Sequence, residues 1–279
     1  MKISARAKIN LSMDILGARD DGYHEILTVM QPIELHDDLE LEPDIEIRVE
    51  SSSGEVPSGP QNIVYRAASL LSGEFGSRQG ARIFIQKNIP VAASLAGGSA
   101  AAAVALRALN RMWEINAPEA DLFRFGEALG SDIPFCLLGK TALAGGRGED
   151  LTTLPSFSGF GLVLVKPPFG VSTARVYSLY DSFPPEPGPD TAAVAQAVKD
   201  RDLGAVAGLM GNVLERVTAS LYPEIMVIKK ALVSAGAAGA MMSGSGPTVF
   251  GLCRSPAEAC FIASRLQFTG CRIIASATA

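Results

Sequence analysis

The chain has 279 residues, 48% of them hydrophobic and 19% charged, enough for one large or two ordinary domains with sizeable cores and too apolar for wholesale disorder. A formal net charge of −5 argues against general binding to nucleic acid or an anionic membrane, so an anionic small ligand must find its positive charge locally. The four cysteines, Cys136, Cys253, Cys260 and Cys271, show neither metal-ligand spacing nor a disulfide framework and read as reduced thiols. Met1–Arg6 leads into a strand-like pattern rather than an apolar signal core, and no apolar run has the length of a membrane span. These features predict a soluble cytoplasmic protein.

Lys8–Leu16 alternates, with Ile9, Leu11, Met13 and Ile15 on one side and Lys8, Asn10, Ser12 and Asp14 on the other. The pattern predicts a strand that carries Lys8 and Asn10 on a shared side. A turn over 17–22 leads to Tyr23-His24-Glu25 and a second apolar run, Ile26–Leu35. Asp38–Val49 mixes Leu, Ile and Glu in alternation, which predicts a hairpin arm with an exposed acidic face. Ser51–Gln61 reads as a loop, and Asn62–Phe75 as a helix through Ile63, Ala67, Leu70 and Leu71.

Arg82–Gln86 is the next predicted strand. It runs through Lys87-Asn88-Ile89-Pro90-Val91-Ala92-Ala93-Ser94-Leu95-Ala96-Gly97-Gly98-Ser99 into a helix over Ala100–Trp113. A strand, a loop of small residues and a helix start make a ready anion site, because first-turn amides lack internal partners and the dipole end is positive. Gly97 and Gly98 permit close backbone approach, and Ser99 adds a hydroxyl. A tight turn under a closely packed Ala-rich helix accounts for the same residues. Neither G-x-x-x-x-G-K-[ST] nor G-x-G-x-x-G is present.

Glu119–Leu129 predicts a helix stopped by Gly130, and Asp132 precedes a short apolar turn, Phe135–Leu138. Thr141–Leu154 is hairpin-like, and a composition change over Pro155–Gly159 marks a domain boundary, giving domains 1–155 and 156–279. Beyond it come a strand Gly161–Lys166 and a short helix Thr173–Leu179. Helices over Ala192–Lys199, Leu203–Arg216 and Tyr222–Ala235 follow. Then come a strand Ala238–Met242, the loop Ser243–Gly246, a strand Thr248–Cys253, a helix Ala257–Leu266 and a strand Cys271–Ser276. Strand pairs mixed with helices, without strict βαβ alternation, make the class α+β.

Several residues here carry chemistry. An ammonium beside a carboxylate suits phosphorylation of an alcohol: Asp132 accepts the hydroxyl proton and Lys8 offsets negative charge. Taken singly, Lys8 reads as a solvated strand face and Asp132 as a helix cap. Tyr23-His24 after a turn suits a flat base, by stacking and hydrogen bonds, or is a surface ring and a loop imidazole. Ser243–Gly246 is a hairpin turn or a phosphate nest.

Together these segments resemble the GHMP kinases (galactokinase, homoserine kinase, mevalonate kinase and phosphomevalonate kinase). Three blocks carry the match in the family's order: Ala7-Lys8-Ile9-Asn10-Leu11, Pro90–Ser99 and Ser243-Gly244-Ser245-Gly246-Pro247. Within the family, Gly17-x-Arg19-x-Asp21-Gly22-Tyr23-His24-Glu25 and Leu129-Gly130-Ser131-Asp132-Ile133-Pro134-Phe135 resemble members that act on a cytidine-diphosphate-linked methylerythritol.

The resemblance implies a two-domain fold, an N-terminal ATP-binding domain and a ferredoxin-like C-terminal domain, with the site between them. It implies ATP-dependent phosphorylation of the tertiary 2-hydroxyl of that substrate, in non-mevalonate isoprenoid synthesis. Asp132 becomes the base and Lys8 its charge-stabilising partner. Asn10 and Gly244 lie near the substrate, while Tyr23, His24 and Tyr177 hold the cytosine. Pro90, Val91, Ala92, Ala93, Ser94, Leu95, Ala96, Gly97, Gly98, Ser99 and Ala100 cradle the ATP phosphates, with Asn62 and Lys87 close to the adenosine. Mg²⁺ is expected with ATP, without assigned ligands, in a monomer or weak homodimer. Another alcohol acceptor, or a non-catalytic nucleotide binder, is the alternative.

The loop departs from the family's usual Gly-Leu-Gly-Gly-Gly-Ser-Ser-Asp/Asn-Ala-Ala. Ser94 and Ala96 stand where glycines are usual, and Ala100-Ala101 replace the Ser-Asp/Asn pair. Weaker nucleotide handling, with backbone amides still binding, is the expectation. A positive φ at Ser94 or Ala96 would add strain of about 1–3 kcal/mol.

Overall fold

The computed structural model describes residues 1–279. In chain order the elements begin with β1 (Lys2–Asn10), β2 (Asp14–Ala18), β3 (His24–Asp44), β4 (Ile47–Ser51), α1 (Ile63–Phe75) and β5 (Gly80–Gln86). Then follow α2 (Gly97–Met112), α3 (Glu119–Leu129), α4 (Asp132–Leu138), β6 (Ala142–Gly145) and β7 (Asp150–Thr153). The remainder comprises β8 (Gly161–Lys166), α5 (Thr173–Tyr180), α6 (Thr191–Lys199), α7 (Leu203–Leu209), α8 (Glu215–Leu221) and α9 (Glu224–Ser234), and closes with β9 (Gly239–Met242), β10 (Val249–Cys253), α10 (Pro256–Arg265) and β11 (Arg272–Ala277).

These elements form two compact units assembled from separated segments. One contains residues 1–7, 35–91 and 96–139; the other contains 8–34, 92–95 and 140–279. The division expected from composition is a single cut at residue 155, whereas the compact units interleave, because β1 and β3 each run from one into the other.

In the first unit, Asp38–Asp44 of β3 pairs antiparallel with β5, and β4 lies parallel on the far side of β5. The predicted hairpin arm over Asp38–Val49 is therefore corrected: β5 separates the two strands, and Glu46 carbonyl accepts from the Ala81 amide. The acidic face is real, with Glu40 and Glu42 exposed and Leu39 and Leu41 buried. Leu71, Ala102, Ala105, Leu106, Leu109 and Ile83 share one core cluster. Alanines along α2 let α1 and α4 pack closely on it. At Gly126 of α3, an added Cβ would meet Ile133 Cγ2 of α4 at 3.0 Å, tighter than ordinary packing allows.

In the second unit, β8–β11 make an antiparallel sheet in the order β11-β8-β10-β9. With helices between β8 and β9 and α10 between β10 and β11, this is ferredoxin-like connectivity. One face packs Val163, Val165, Val249 and Met242 against Val217, Ile228, Leu232 and Ile262. The helix predicted over Leu203–Arg216 is two helices, α7 and α8. The chain between them leaves helical geometry to exchange backbone hydrogen bonds with Met13, whose amide donates to Gly211 and whose carbonyl accepts from Val213.

The predicted strand Lys8–Leu16 is likewise divided between β1 and β2. Alternation fails there because Lys8, Ile9, Asn10, Leu11, Ser12 and Met13 are all buried. Lys8 is 5% exposed, which corrects the reading of a solvated strand face. No helix is long and apolar enough to cross a membrane.

Candidate active site

The loop between β5 and α2 has an unusual backbone. Ala92, Ser94 and Ala96 have φ of +49°, +53° and +56°, while Ala93 and Leu95 between them do not share the positive sign. Positive φ at every second residue is the φ pattern expected of a nest, the backbone geometry that presents amides to an anion. It holds three non-glycine residues in a left-handed conformation that disfavours L-residues by about 1–2 kcal/mol each. The helix follows at once: α2 starts at Gly97, three residues earlier than periodicity predicts, with Ala96 at its cap and no capping side chain. Its first amides therefore have no side-chain partner within the helix start, as an anion site requires.

Beside this start, Lys87 forms an ion pair with Asp37, whose side chain is fully buried. Asp37 Oδ1 also accepts from the amides of Asn88 (2.7 Å) and Ile89 (2.8 Å), fixing the path into the loop. A Cβ at Gly97 would lie 3.1 Å from Lys87 Nζ and 3.0 Å from Ile89 Cγ2, so any larger residue would press on both side chains. Asn62 caps α1: Oδ1 accepts from the Val64 amide at 2.8 Å, and Nδ2 donates to the Pro57 carbonyl at 2.7 Å. The expectation placed Asn62 close to adenosine; its observed partners are backbone groups.

In the second unit, the Lys8 amide donates to Leu95 O at 3.1 Å, tying β1 to the loop that precedes α2. Lys8 Nζ donates to Asn10 Oδ1 at 2.9 Å, so the two share a side as expected. Asn10 Nδ2 donates to Thr28 Oγ1 at 2.9 Å, and the Thr28 hydroxyl donates to Ser12 O at 2.5 Å. Asp132 belongs to the first unit. It is the first residue of α4 rather than its cap, half-buried, with Ser131 at the cap position. A carboxylate in a first turn is favoured by the helix dipole, and Pro134 is tolerated there.

The second glycine loop, 243–246, is held on several sides. Asn212 Nδ2 donates to Met242 O and Gly244 O, each at 2.8 Å. Thr218 donates to Ser245 O at 3.1 Å, and Glu215, ion-paired with Lys229, accepts from the Met242 amide at 2.9 Å. Gly244 has φ +53°, and a Cβ there would sit 3.4 Å from Ser94 Cβ and 3.6 Å from Asn10 Oδ1. The structure thus brings Asn10, Ser94 and Gly244 together. Thr28, Asp37, Asn212 and Glu215 escaped sequence reasoning, since each acts through long-range partners. Gly211-Asn212 inside a helical pattern was the one local signal.

His24 and Tyr177 also meet. Their ring centroids are 5.2 Å apart at 40°, and the Tyr180 ring lies near-perpendicular to His24, with centroids 6.4 Å apart at 88°. His24 Nε2 lies 2.7 Å from Asp181 Oδ1, which fixes the imidazole in its plane. Tyr23 is 58% exposed, with the Arg147 guanidinium 5.1 Å from its ring centroid. No cluster of three or more His, Cys, Asp or Glu side chains has metal-holding geometry.

Residues 62–140 match the GHMP kinases N terminal domain, and residues 194–270 match the GHMP kinases C terminal domain. The chain belongs to the GHMP kinase family, enzymes that use ATP as co-substrate.

Among its relatives, 4-diphosphocytidyl-2-C-methyl-D-erythritol kinase of Pelotomaculum thermopropionicum is 52% identical over 281 residues, covering 98% of this chain and 96% of that protein. The protein of the same name from Acetivibrio thermocellus is 46% identical, covering 93% and 92%. A crystal structure of 4-(cytidine 5'-diphospho)-2C-methyl-D-erythritol kinase superposes with a TM-score of 0.83 at 33% identity, covering 100% of both chains. Homoserine kinase from Cytophaga hutchinsonii, at 20% identity and a TM-score of 0.75, covering 100% of this chain and 94% of that one, shares the fold.

Proposed function

We propose that the protein transfers the γ-phosphoryl group of ATP to the 2-hydroxyl of 4-diphosphocytidyl-2-C-methyl-D-erythritol, a step of non-mevalonate isoprenoid precursor synthesis. The observation that carries this is 52% identity spread over 98% of the chain to a relative bearing that substrate's name. The His24–Tyr177 ring pair supports it, because a cytosine needs a flat apolar partner and a polar edge.

Asp132 takes the proton of the acceptor hydroxyl as its oxygen bonds to the γ-phosphorus, and the bond to the β-phosphate oxygen breaks to release ADP. Lys8 offsets negative charge on the oxygens in transfer. Asn10 fixes the ammonium by accepting one of its protons. Residues Pro90–Ala100 hold the ATP phosphates through backbone amides, with Lys87 beside the helix start. Mg²⁺ bound to the nucleotide would supply neutralisation of phosphate charge, with no residue of this chain assigned to hold it. The protein acts in the cytoplasm, as a monomer or weak homodimer, with a cytidine-diphosphate-linked small molecule as its partner and neither nucleic acid nor membrane.

The test is phosphorus NMR of the purified protein with ATP, Mg²⁺ and the proposed acceptor. A new phosphomonoester signal growing in step with ADP is expected. Intact ATP in the presence of this acceptor overturns the reading. Asp132→Asn is expected to lower kcat by at least about 10²-fold while acceptor binding, read by calorimetry, persists. Near-normal turnover removes Asp132 from the role of base.

A further inference from the structure

Ser94 sits in a conformation that an L-residue avoids, with φ +53°, at a position where glycine would be unstrained. Its side chain does something a glycine could not. The hydroxyl donates to Gly246 O at 2.6 Å, and Ser243 Oγ donates back to Ser94 O at 3.1 Å. Ser94 Oγ is also 3.3 Å from Ser245 Oγ, and Ser245 Oγ is 2.9 Å from Thr173 Oγ1. Thr173 is the first residue of α5, the helix that carries Tyr177 to His24.

Donor counting gives this chain a direction. Each hydroxyl has one proton, and that of Ser94 is used on Gly246 O. Ser245 therefore donates to Ser94, and Thr173 donates to Ser245. The middle link, at 3.3 Å, is longer than a strong hydroxyl bond, and the link that a shift of α5 acts on directly is Thr173–Ser245, at 2.9 Å. Ser245 is 5% exposed, so solvent does not readily replace a lost partner.

We infer that Ser94, Ser245 and Thr173 form a directed hydroxyl chain that couples the phosphate loop to helix α5, so that filling the His24–Tyr177 ring site tightens nucleotide binding. The inference rests on the reading above that this ring site takes a cytidine diphosphate. Ser94 and Thr173 are positioning residues in it: they act through the loop and the helix.

The test is calorimetric titration of a non-hydrolysable ATP analogue, with and without saturating cytidine diphosphate. In the wild-type protein, cytidine diphosphate is expected to tighten the analogue about fivefold or more, and the analogue to tighten cytidine diphosphate by the same factor. In Ser94→Gly, which relieves the φ strain and so folds, the ratio falls to about one. Thr173→Val loses the coupling in the same way, whereas Thr173→Ser keeps the hydroxyl and restores it. A ratio of one in the wild type overturns the inference, as does an undiminished ratio in Ser94→Gly or Thr173→Val with cytidine diphosphate still bound. Failure of cytidine diphosphate to bind at all overturns the functional reading as well, so the two failures are distinguishable.

Discussion

Asn10 presents its oxygen, not its nitrogen, to Lys8, and the residue that decides this is Thr28. The Thr28 hydroxyl proton is used on Ser12 O, so toward Asn10 its oxygen can only accept. The amide nitrogen of Asn10 must then face Thr28, leaving Oδ1 for the ammonium. Thr28→Val keeps the shape and removes both bonds. It strands Asn10 Nδ2 and Ser12 O in the interior, at about 1–3 kcal/mol per group. With Lys8 less well placed, kcat should fall by about tenfold or more, whereas Thr28→Ser stays close to wild type. Denaturant unfolding and steady-state kinetics on the three proteins check both effects.

Asn212 is the second long-range support. One amide group serves two carbonyls of the glycine loop, at Met242 and Gly244, and Oδ1 accepts from the Leu214 amide at 2.9 Å. Asn212→Ala leaves all three backbone groups without that partner. The expected loss is about 2–4 kcal/mol of stability, with a raised KM for ATP because the loop that contacts Ser94 loosens. Unchanged unfolding midpoints in urea would show that water replaces the amide.

Much of this architecture was legible in the sequence where local chemistry and burial agree. α3 ends at Gly130 as predicted, β8 keeps its predicted bounds, and β6 with β7 is the expected hairpin. Failures cluster where one segment is buried on all sides or is paired at long range. Residues 8–13 are buried on both faces, so alternation there carries no information about which side is wet. The parallel pairing of β4 with β5 leaves no local trace, because the partner lies 34 residues away by the register Val49 to Ile83. The site divides in the same way. Residue types single out Lys8, Asn10, His24 and the glycine loops as candidates, whereas Thr28, Asp37 and Asn212 are ordinary in sequence and gain meaning only from what they touch.

Cys253 is fully buried, and burial pushes its thiol up to about 12 from the usual 9.0, with Glu258 adding to the effect. The unfolded chain therefore releases this proton at lower pH than the folded one. Stability from the group is complete below pH 9 and declines as pH rises through the interval from 9 to 12. Tyr180 is shifted in the same direction, chiefly by burial, and adds to the alkaline loss. Cys253→Ala should be less stable than wild type at pH 8, and the difference should narrow by at most about 1.4 kcal/mol per pH unit above pH 9. Urea unfolding at pH 8 and pH 10 measures it. Exposed Cys260 should react rapidly with a thiol reagent at pH 8, and Cys253 only on unfolding.

Ala96 differs from Ser94 in a way that separates strain from function. Both have positive φ, but Ala96 caps α2 with a methyl group that makes no hydrogen bond. Replacing it by glycine removes the left-handed penalty of about 1–2 kcal/mol, less the extra chain entropy that glycine loses on folding. Ala96→Gly should therefore raise stability by up to about 1 kcal/mol and leave the nest in place, so that KM for ATP changes little. Ser94→Gly gains the same relief but loses the bond to Gly246 O, so any stability gain comes with weakened coupling. If Ala96→Gly instead lowers the unfolding temperature, the methyl group is packed more tightly than its half-exposed position suggests, and the backbone conformation is held by that contact rather than against its own preference.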